Sequence, residues 1–338
     1  MEDKLGVGIH GAGQAGRQHA KAYIDNPYAQ IVGVSSRHKQ SAQVLVQELG
    51  LQCTVFEDYD QLLADDRIEV VSVCTPNYQH AQQAIAAAQA GKHLVLEKPV
   101  GMTLEELRAL RRAVEQAGIK SIVSFVLRWN LQVASMKQLI ESGAVGDVFY
   151  AECDYWHGIF SDFPSFGWLS KKAYAGSGMI SGGCHAVDML RYLVGEIVEV
   201  AAFSTSRCAE YEYPTTVVAS LQFAGNAVGK VSSCLEAHAP YTFNIYILGT
   251  QGTLRDDRIY LEGLLPGQTH FATVPTARPD SGSVEHHPFK EEINDFFEAL
   301  RTGGDASPDI LDAIKTQEVC LAIDQSLEAG QIVKLPLI

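Results

Sequence analysis

The chain has 338 residues, of which 46% are hydrophobic and 20% charged, and its formal net charge is −14 at pH 7. This composition excludes a disordered or fibrous protein, and the length exceeds the usual single core, which predicts two domains. The negative charge argues against a nucleic-acid partner, because phosphate backbones demand clustered Lys and Arg side chains.

The N-terminal and cysteine patterns predict an ordinary cytoplasmic protein. Met1-Glu2-Asp3-Lys4 is not a cationic segment followed by an apolar one, and no apolar run of about 18 residues is present to span a bilayer. Seven cysteines without a C-x-x-C pair predict buried thiols, not a disulfide framework or a cysteine zinc site. The adjacent His286 and His287 would face opposite ways in a strand or loop, so we expect no metal site.

Strand and helix patterns alternate from the N-terminus to about residue 125. Predicted strands cover residues 5–10, 30–34, 53–56, 70–74, 93–96 and 119–125, and predicted helices cover 17–24, 40–48, 59–64, 80–90 and 104–117. Such alternation is typical of βαβ units in a doubly wound parallel sheet with helices on both faces. The sequence therefore predicts an α/β domain of the Rossmann type over residues 1–126.

A glycine-rich loop, Gly11-Ala12-Gly13-Gln14-Ala15-Gly16, lies between the first strand and the first helix. In that setting Gly11 permits a tight turn, Gly13 lets the backbone approach a pyrophosphate, and Gly16 lets the helix pack close to the strand. The diphosphate would then bind at the helix N-terminus. An ordinary glycine turn is the alternative, but the order of strand, glycine triplet and helix favours dinucleotide binding by all six residues.

The end of the second strand bears on the choice between NAD and NADP. An NAD-binding fold usually has Asp or Glu there, which accepts hydrogen bonds from the ribose hydroxyls. This chain has Ser35-Ser36-Arg37-His38-Lys39, and hydroxyls followed by cationic side chains suit a 2′-phosphate. We therefore expect NADP to be preferred over NAD, with Ser35, Ser36 and Arg37 as contacts. The alternative is that these residues form a solvated loop.

The pattern changes after Arg128. One helix, 133–141, precedes predicted strands at 148–156, 198–207, 215–223, 227–236 and 242–248, and two helices, 287–301 and 310–329, end the chain. Alternating strands predict a mostly antiparallel open sheet in an α+β domain over residues 127–338, with a hairpin turn at Ala224-Gly225-Asn226. Because the runs 217–221 and 244–248 place apolar residues on both faces, the uncovered face predicts a homodimer or homotetramer.

Two residues stand where chemistry is expected. Lys98, in Glu97-Lys98-Pro99, follows a buried parallel strand and so lies at the crevice where open α/β sheets bind ligands. It is a candidate for proton transfer, although a lysine that points to solvent or pairs with Glu97 is the alternative. His185 opens a helix after two glycines, where an imidazole has a pKa near working pH, but a single histidine is more often structural.

Together these motifs resemble the Gfo/Idh/MocA family of nicotinamide-dependent oxidoreductases over nearly the whole chain. The resemblance rests on the glycine loop, Cys74-Thr75-Pro76-Asn77 with His80, Ala90-Gly91-Lys92-His93 before Glu97-Lys98-Pro99, Gly182-Gly183-Cys184-His185-Ala186-Val187-Asp188 with Leu190-Arg191-Tyr192-Leu193, and Gly249-Thr250-Gln251-Gly252-Thr253-Leu254. It implies that Lys98 contacts the reacting hydroxyl and the nicotinamide ribose. It further implies cofactor contacts from Cys74, Thr75, Pro76, Asn77, His80, Glu97 and Arg128.

The family motif D-x-x-x-H falls here on Ser181 and His185, so its carboxylate is missing. Lys98 and His185 must then manage the proton alone, or with help from Asp188. Asp188 could equally be a helix-start residue placed favourably against the helix dipole.

A substrate pocket is expected from side chains with aromatic faces and polar tips, which suit a sugar or cyclitol. The predicted substrate contacts are Lys98, Arg128, Tyr155, His157, Trp168, His185 and Asp188. Trp156 and Trp168 could equally be core residues.

Three functions remain open from the sequence. The first is an NAD(P)-dependent oxidoreductase that transfers hydride between nicotinamide and a secondary hydroxyl or keto carbon of a sugar, cyclitol or related polyol. The second is a redox-neutral enzyme with a tightly bound cofactor, which cleaves or epimerises a glycoside through a transient keto sugar. The third, a non-catalytic ligand sensor, is disfavoured by the presence of Lys98 and His185.

Overall fold

The structure is a computed structural model that describes residues 4–279 and 281–338. It divides into two compact units. The first comprises the chain up to Val126 together with Pro288–Ile314, and the second comprises Leu127–His287 and Lys315–Ile338.

The first unit is built on a six-stranded, fully parallel sheet. Its strands are β1 (Leu5–His10), β2 (Ala29–Ser35), β3 (Thr54–Val55), β4 (Val70–Val73), β5 (His93–Leu96) and β6 (Ser121–Val123), in the order β3-β2-β1-β4-β5-β6. Its first five helices are α1 (Gln14–Asp25), α2 (Lys39–Glu48), α3 (Tyr59–Leu63), α4 (His80–Gln89) and α5 (Leu104–Ala117). The predicted doubly wound sheet is confirmed.

Local signals explain why these elements begin and end where they do. At α5, the Thr103 hydroxyl accepts from the Glu106 amide while the Glu106 carboxylate caps the Thr103 amide, and Gly118 ends the helix with φ +63°. The β-branched strand β4 is buried over all four residues, as expected of a central parallel strand with both faces covered.

The second unit contains a nine-stranded sheet. Its helices are α6 (Leu131–Glu141), α7 (Phe166–Leu169), α8 (Lys172–Ala175) and α9 (Cys184–Leu193). Its strands are β7 (Val148–Trp156), β8 (Ile197–Thr205), β9 (Thr216–Phe223), β10 (Val228–Cys234), β11 (Thr242–Gly249), β12 (Gly252–Arg255), β13 (Arg258–Leu261), β14 (Ala272–Thr273) and β15 (Val333–Lys334), in the order β14-β13-β12-β11-β7-β10-β9-β8-β15.

All pairings in this sheet are antiparallel except that of β7 with β10, so the predicted mostly antiparallel sheet is confirmed. The predicted hairpin joins β9 to β10, and Asn226 takes the left-handed conformation there, with φ +66°. The sequence did not predict strands β12 to β15 or helices α7 and α8, because each is too short to show a hydrophobic period.

Two helices end the chain, α10 (Phe289–Thr302) and α11 (Ile310–Ala329). Helix α10 packs on α1 in the first unit, where the Tyr23 and Phe297 rings meet edge to face at 5.8 Å and Asn26 Nδ2 donates to Asn294 Oδ1 at 2.8 Å. The predicted second domain, 127–338, therefore includes residues 288–314 that belong to the first unit. Such a return of the chain leaves no local signal in the sequence.

Candidate active site

The glycine loop has the geometry that dinucleotide binding requires. Gly11 has φ +107°, and a Cβ on Gly11 or on Gly16 would overlap a backbone carbonyl oxygen, of Cys74 and of Gly11 respectively. A Cβ on Gly13 would meet nothing within 4 Å, so open space lies over that residue. Two glycines are thus required by the fold and the third leaves room for a ligand.

Helix α1 begins directly at this open space. Gly13 is its N-terminal cap residue, its first turn has no acidic side chain, and no side chain of the described residues caps its amides. Free N–H groups and the positive end of the helix dipole suit an anionic diphosphate. The loop of Gly11, Ala12, Gly13, Gln14, Ala15 and Gly16 therefore fits a dinucleotide cofactor.

The predicted cofactor-selecting segment is only partly at the surface. Ser35 is buried, and its Oγ lies 2.8 Å from His10 Nδ1, so its hydroxyl is turned inwards. Ser36 is half-buried and Arg37 is exposed, with its Nε 3.3 Å from His38 Nε2. Of the three predicted cofactor contacts, Ser36 and Arg37 therefore reach solvent and Ser35 does not.

A buried hydrogen-bond chain joins the ends of β1, β2 and β4, and the sequence analysis missed its central residues. His10 Nε2 lies 3.0 Å from Gln83 Nε2, and Gln83 Oε1 accepts from Thr75 Oγ1 at 2.5 Å. Burial lowers the pKa of His10 to about 4, so its ring is neutral, with Nδ1–H directed at Ser35 Oγ. The signal available was a polar residue at the end of a buried strand, directly before Gly11.

The segment after β4 is tied to the segment after β5 by one histidine. Cys74, Asn77 and His80 are buried, and the His80 ring bridges two carbonyl oxygens, with Nδ1 2.7 Å from Pro99 O and Nε2 2.6 Å from Thr75 O. Burial lowers the pKa of His80, although both carbonyls favour a protonated ring. His80 thus holds the two segments together.

Lys98 is half-buried between two buried neighbours, Glu97 and Pro99, at the carboxyl end of β5. The Glu97 carboxylate is turned into the unit, with Oε1 3.3 Å from His19 Nε2. Burial alone would raise the pKa of Glu97, but His19, Lys98 and His80 outweigh it and lower the pKa. Lys98 thus lies at the carboxyl end of the parallel strands, next to the buried carboxylate of Glu97.

In the second unit, His185 lies in the first turn of α9 and is buried against aromatic rings. The Tyr155 ring stacks on it, with centroids 6.0 Å apart and planes 19° apart, and the His287 ring meets it edge-on at 6.5 Å. A Cβ on Gly182 would lie 2.5 Å from the Tyr155 ring. The glycines before His185 therefore allow the tyrosine to pack on this helix start.

Tyr155 and His157 come together as predicted, since Tyr155 OH lies 3.2 Å from His157 Nδ1. The Tyr241 ring packs edge-on against both, at 5.8 Å and 5.5 Å. We call Tyr155, His157, His185, Tyr241 and His287 the aromatic cluster. Tyr241 and His287 were missed, because neither lies in a recognisable motif.

Ser181 does not replace the missing carboxylate of the family motif. It lies in the wide helical turn Met179–Gly183, is buried, and donates from Oγ to the Ala175 carbonyl at 2.9 Å. Its hydroxyl is committed to the backbone.

Asp188 and Arg128 form a buried ion pair. Asp188 accepts from Arg128 Nε at 2.8 Å, from Arg128 Nη2 at 2.6 Å and from Thr316 Oγ1 at 3.1 Å. The side chains of Arg128 and Asp188 are only 6% and 2% exposed. The two charges thus neutralise each other, which gives both residues a structural role.

The predictions left Trp156 and Trp168 open between pocket and core. Trp156 alternates with Tyr155 on β7, so it points to the opposite face of the sheet, where its Nε1 donates to Ser232 Oγ at 2.8 Å. Trp168 is half-buried in the short helix α7. Among residues 4–279 and 281–338, no group of three or more metal-ligating side chains is found.

Comparison with known proteins agrees with this architecture. Residues 5–125 match a family model described as "Oxidoreductase family, NAD-binding Rossmann fold", and residues 133–255 match the Gfo/Idh/MocA C-terminal domain. The chain is 30% identical to levoglucosan dehydrogenase of Pseudarthrobacter phenanthrenivorans, over 99% of both chains. It is 27% identical to scyllo-inositol 2-dehydrogenase (NAD(+)) of Bacillus subtilis, over 99% of this chain and 97% of that one.

The fold agrees as well. A solved structure of levoglucosan dehydrogenase in complex with NADH and levoglucosan superimposes with a TM-score of 0.91 at 29% identity, covering 99% of this chain and 100% of that one. The glycine loop, the segment around Lys98 and the helix start at His185 all lie within these matched regions. The chain belongs to the Gfo/Idh/MocA family of oxidoreductases.

Proposed function

We propose that the protein is a dehydrogenase that transfers hydride between a nicotinamide cofactor and a secondary hydroxyl or keto carbon of a neutral sugar or polyol. The proposal is supported mainly by the open space over Gly13 at the start of α1. The parallel sheet that leads into this loop also carries Lys98, directly after β5. The two relatives described above are dehydrogenases of an anhydro sugar and of an inositol.

The bound nicotinamide supplies the hydride acceptor or donor. Lys98 holds a cation at the crevice edge, where an ammonium stabilises the oxygen of a reacting hydroxyl as it loses its proton. His185, in the second unit, is a further candidate for proton transfer. Ser181 and Asp188 take no part, since each is committed to the hydrogen bonds described above.

The substrate is proposed to be uncharged because of the aromatic cluster. Its rings offer apolar faces with hydroxyl and imidazole tips, which match the CH faces and polar rim of a sugar. Arg128, a predicted substrate contact, is instead bonded twice to Asp188. An arginine so engaged is a poor partner for a phosphate or a carboxylate on the substrate.

The same proposal includes a preference for NADP over NAD. It is supported by the exposed guanidinium of Arg37 beside Ser36, at a position where NAD binders usually carry a carboxylate. Charge-assisted hydrogen bonds to a 2′-phosphate would favour NADPH by roughly ten- to a hundred-fold. Fluorescence titration of NADPH and NADH should show this, and Ser36→Asp should reverse it. Tighter NADH binding that Arg37→Ala leaves unchanged would overturn the preference.

We further propose that the open face of the nine-stranded sheet joins two subunits. Along β9, Val217, Ala219 and Leu221 are buried, while Val218 on the opposite face is 42% exposed. Large apolar residues on an open sheet face indicate a partner surface. Light scattering should give a dimer or tetramer mass at micromolar concentration, and Val218→Glu should lower it. A monomeric wild type would refute this.

A cytoplasmic location is supported by the cysteines, all seven of which are free thiols. Cell fractionation with antibody detection tests it, and recovery of the protein in an oxidising compartment would contradict it.

The activity is tested with a panel of neutral sugars, cyclitols and their phosphorylated counterparts, read as reduced-nicotinamide absorbance with both cofactors. We expect stoichiometric cofactor reduction with a neutral member. Lys98→Ala should abolish turnover while the cofactor Kd changes only a few-fold, because the glycine loop carries most of the binding. Substrate conversion without net cofactor reduction would instead indicate the redox-neutral reaction, and a Lys98→Ala variant with most of its kcat would remove Lys98 from the mechanism.

A further inference from the structure

Lys98 is fixed through both of its neighbours, and each neighbour is held by a buried histidine. On one side, the Glu97 carboxylate lies 3.3 Å from His19 Nε2, and on the other, the Pro99 carbonyl lies 2.7 Å from His80 Nδ1. His19 and His80 are 0% and 1% exposed. The backbone at Lys98 is thereby anchored to α1 and to α4.

The contact between His19 and Glu97 is the end of a longer chain of hydrogen bonds. Tyr23 OH lies 2.6 Å from Ser72 Oγ, and Ser72 Oγ lies 3.2 Å from His19 Nδ1. Burial raises the pKa of Tyr23 well above its ordinary value, so its phenol keeps its proton and donates. If Ser72 then donates to His19 Nδ1, the Nε2–H of His19 donates to Glu97, and each hydrogen bond of the chain has a donor and an acceptor. This chain ends on a carboxylate.

A second buried carboxyl group, that of Glu292, interacts with the carboxylate of Glu97. Glu292 of α10 is 0% exposed, and neither of its oxygens forms a hydrogen bond of normal geometry with a described residue, although the Ser124 hydroxyl lies close enough to interact. Burial and the charge of Glu97 raise the pKa of Glu292 well above its ordinary value, with the Ser124 hydroxyl opposing. A charged carboxylate without hydrogen bonds is very costly in such a place, whereas a neutral acid is tolerated.

We propose that Glu97 is a positioning residue for Lys98, and that Glu292 carries a proton so that the single negative charge of this buried pair resides on Glu97. The charge is fixed there by His19, whose Nε2 lies 3.3 Å from Glu97 Oε1. Glu97 then acts on Lys98 in two ways: it holds the backbone next to the ammonium, and it provides the opposite charge behind it. This role for Lys98 rests on the proposed hydride-transfer function.

Other titratable groups also face the two carboxyls, and they enter any pH dependence. They are His19 and Tyr23 of α1, Cys74 after β4, His80 of α4, and Lys98. Burial raises the pKa of Cys74 well above its ordinary value, so this thiol stays neutral near pH 7 and leaves Glu97 as the anion of the set.

The protonation of Glu292 can be measured without any activity. A carboxyl that keeps its proton in the folded state and loses it in the unfolded state makes the protein less stable as pH rises. Glu292→Gln, which copies the neutral acid, removes this effect. The unfolding constant of the wild type should therefore grow relative to that of Glu292→Gln, by up to tenfold per pH unit, as pH rises above the ordinary pKa of a glutamate.

The matched control is Glu291→Gln, which changes the neighbouring, exposed residue of the same helix. Its unfolding constant should keep a constant ratio to that of the wild type. Should Glu292→Gln fail to fold, infrared spectroscopy of the wild type at pH 7 gives a second measure, because a protonated carboxylic acid has its own C=O band. A pH-independent ratio, or the absence of that band, would overturn the proposal.

The positioning role is tested with Glu97→Gln, again beside Glu291→Gln. We expect kcat to fall by about 10²-fold, since small displacements of a catalytic group have effects of that size, with little change in sugar KM. The pH profile of kcat/KM should also change, because the negative charge that precedes Lys98 in the sequence has been removed. An unchanged kcat, or a lower kcat with an unmoved profile, counts against the role.

These outcomes separate the two proposals. If the wild type reduces no cofactor, or if Lys98→Ala remains active, the proposed function fails. If the wild type is active through Lys98 but Glu97→Gln matches Glu291→Gln in rate and profile, only the positioning inference fails.

Discussion

Replacement of Asp188 by alanine should damage stability and leave chemistry intact. Asp188 accepts two hydrogen bonds from Arg128 and one from Thr316, and both charged side chains are almost fully buried. Removing the carboxylate leaves the Arg128 guanidinium buried without its counter-ion, which costs about 3–5 kcal/mol in comparable buried pairs. For a protein of this size that corresponds to a fall in melting temperature on the order of 10 °C.

The assay combines thermal or denaturant unfolding with steady-state kinetics at a temperature where both proteins are folded. Two control substitutions give smaller expected losses of stability, with which that of Asp188→Ala is compared. Thr316→Val removes two hydrogen bonds, one donated to Asp188 and one accepted from Arg191 Nη1, and should cost about 1–3 kcal/mol. Glu199→Ala breaks a surface pair with Lys334 and should cost about 0–1 kcal/mol. An Asp188→Ala variant with wild-type stability and a large loss of kcat would refute this reasoning and return Asp188 to the proton relay.

The other predictions concern the cofactor loop, His185 and His10. Gly13→Ala should leave the free energy of unfolding unchanged but weaken cofactor binding by about tenfold or more, because its Cβ enters the space over the loop. Gly16→Ala should lower the free energy of unfolding by about 1–3 kcal/mol, because its Cβ meets a backbone carbonyl oxygen. Equal effects on stability would contradict this. His185→Ala should lower kcat by about 10²–10⁴, and a small loss would move the proton to Lys98. Burial lowers the pKa of His10 to about 4 in the folded protein. The free energy of unfolding should therefore fall by roughly 3 kcal/mol as pH falls from about 6.5 to 4. His10→Asn should flatten that part of the pH–stability curve, and an equal slope in both proteins would disprove it.

Much of the fold was predictable because its signals are local. The strands β5 and β7 and the helices α5 and α11 have the predicted bounds, and the start of α5 is marked by the cap of Thr103 with Glu106. What could not be predicted depends on distant pairing. Helix α10 has the composition of any amphipathic helix, and its packing against Tyr23 and Asn26 of α1 assigns it to the first unit.

The same limit applied to the site. Motifs located Lys98, His185 and the glycine loop, because each needs particular residue types at fixed spacing. The partners of charged residues were not predictable, as Arg128 and Asp188 show: both lie in recognisable segments, yet sixty positions separate them and nothing local indicates that they bond. A motif thus identifies which residues are near the chemistry, while hydrogen bonding decides which of them are free to perform it.

That distinction bears on the missing carboxylate of the D-x-x-x-H motif. In this chain position 181 is a serine that donates to the Ala175 carbonyl, and Asp188 is neutralised by Arg128. Neither is available to orient His185, which is instead packed against Tyr155 and His287. Ring packing fixes the plane of the imidazole. In the first unit, the buried carboxylate of Glu97 directly precedes Lys98 in the sequence. We therefore expect the balance of proton handling in this chain to rest on Lys98 more than on His185.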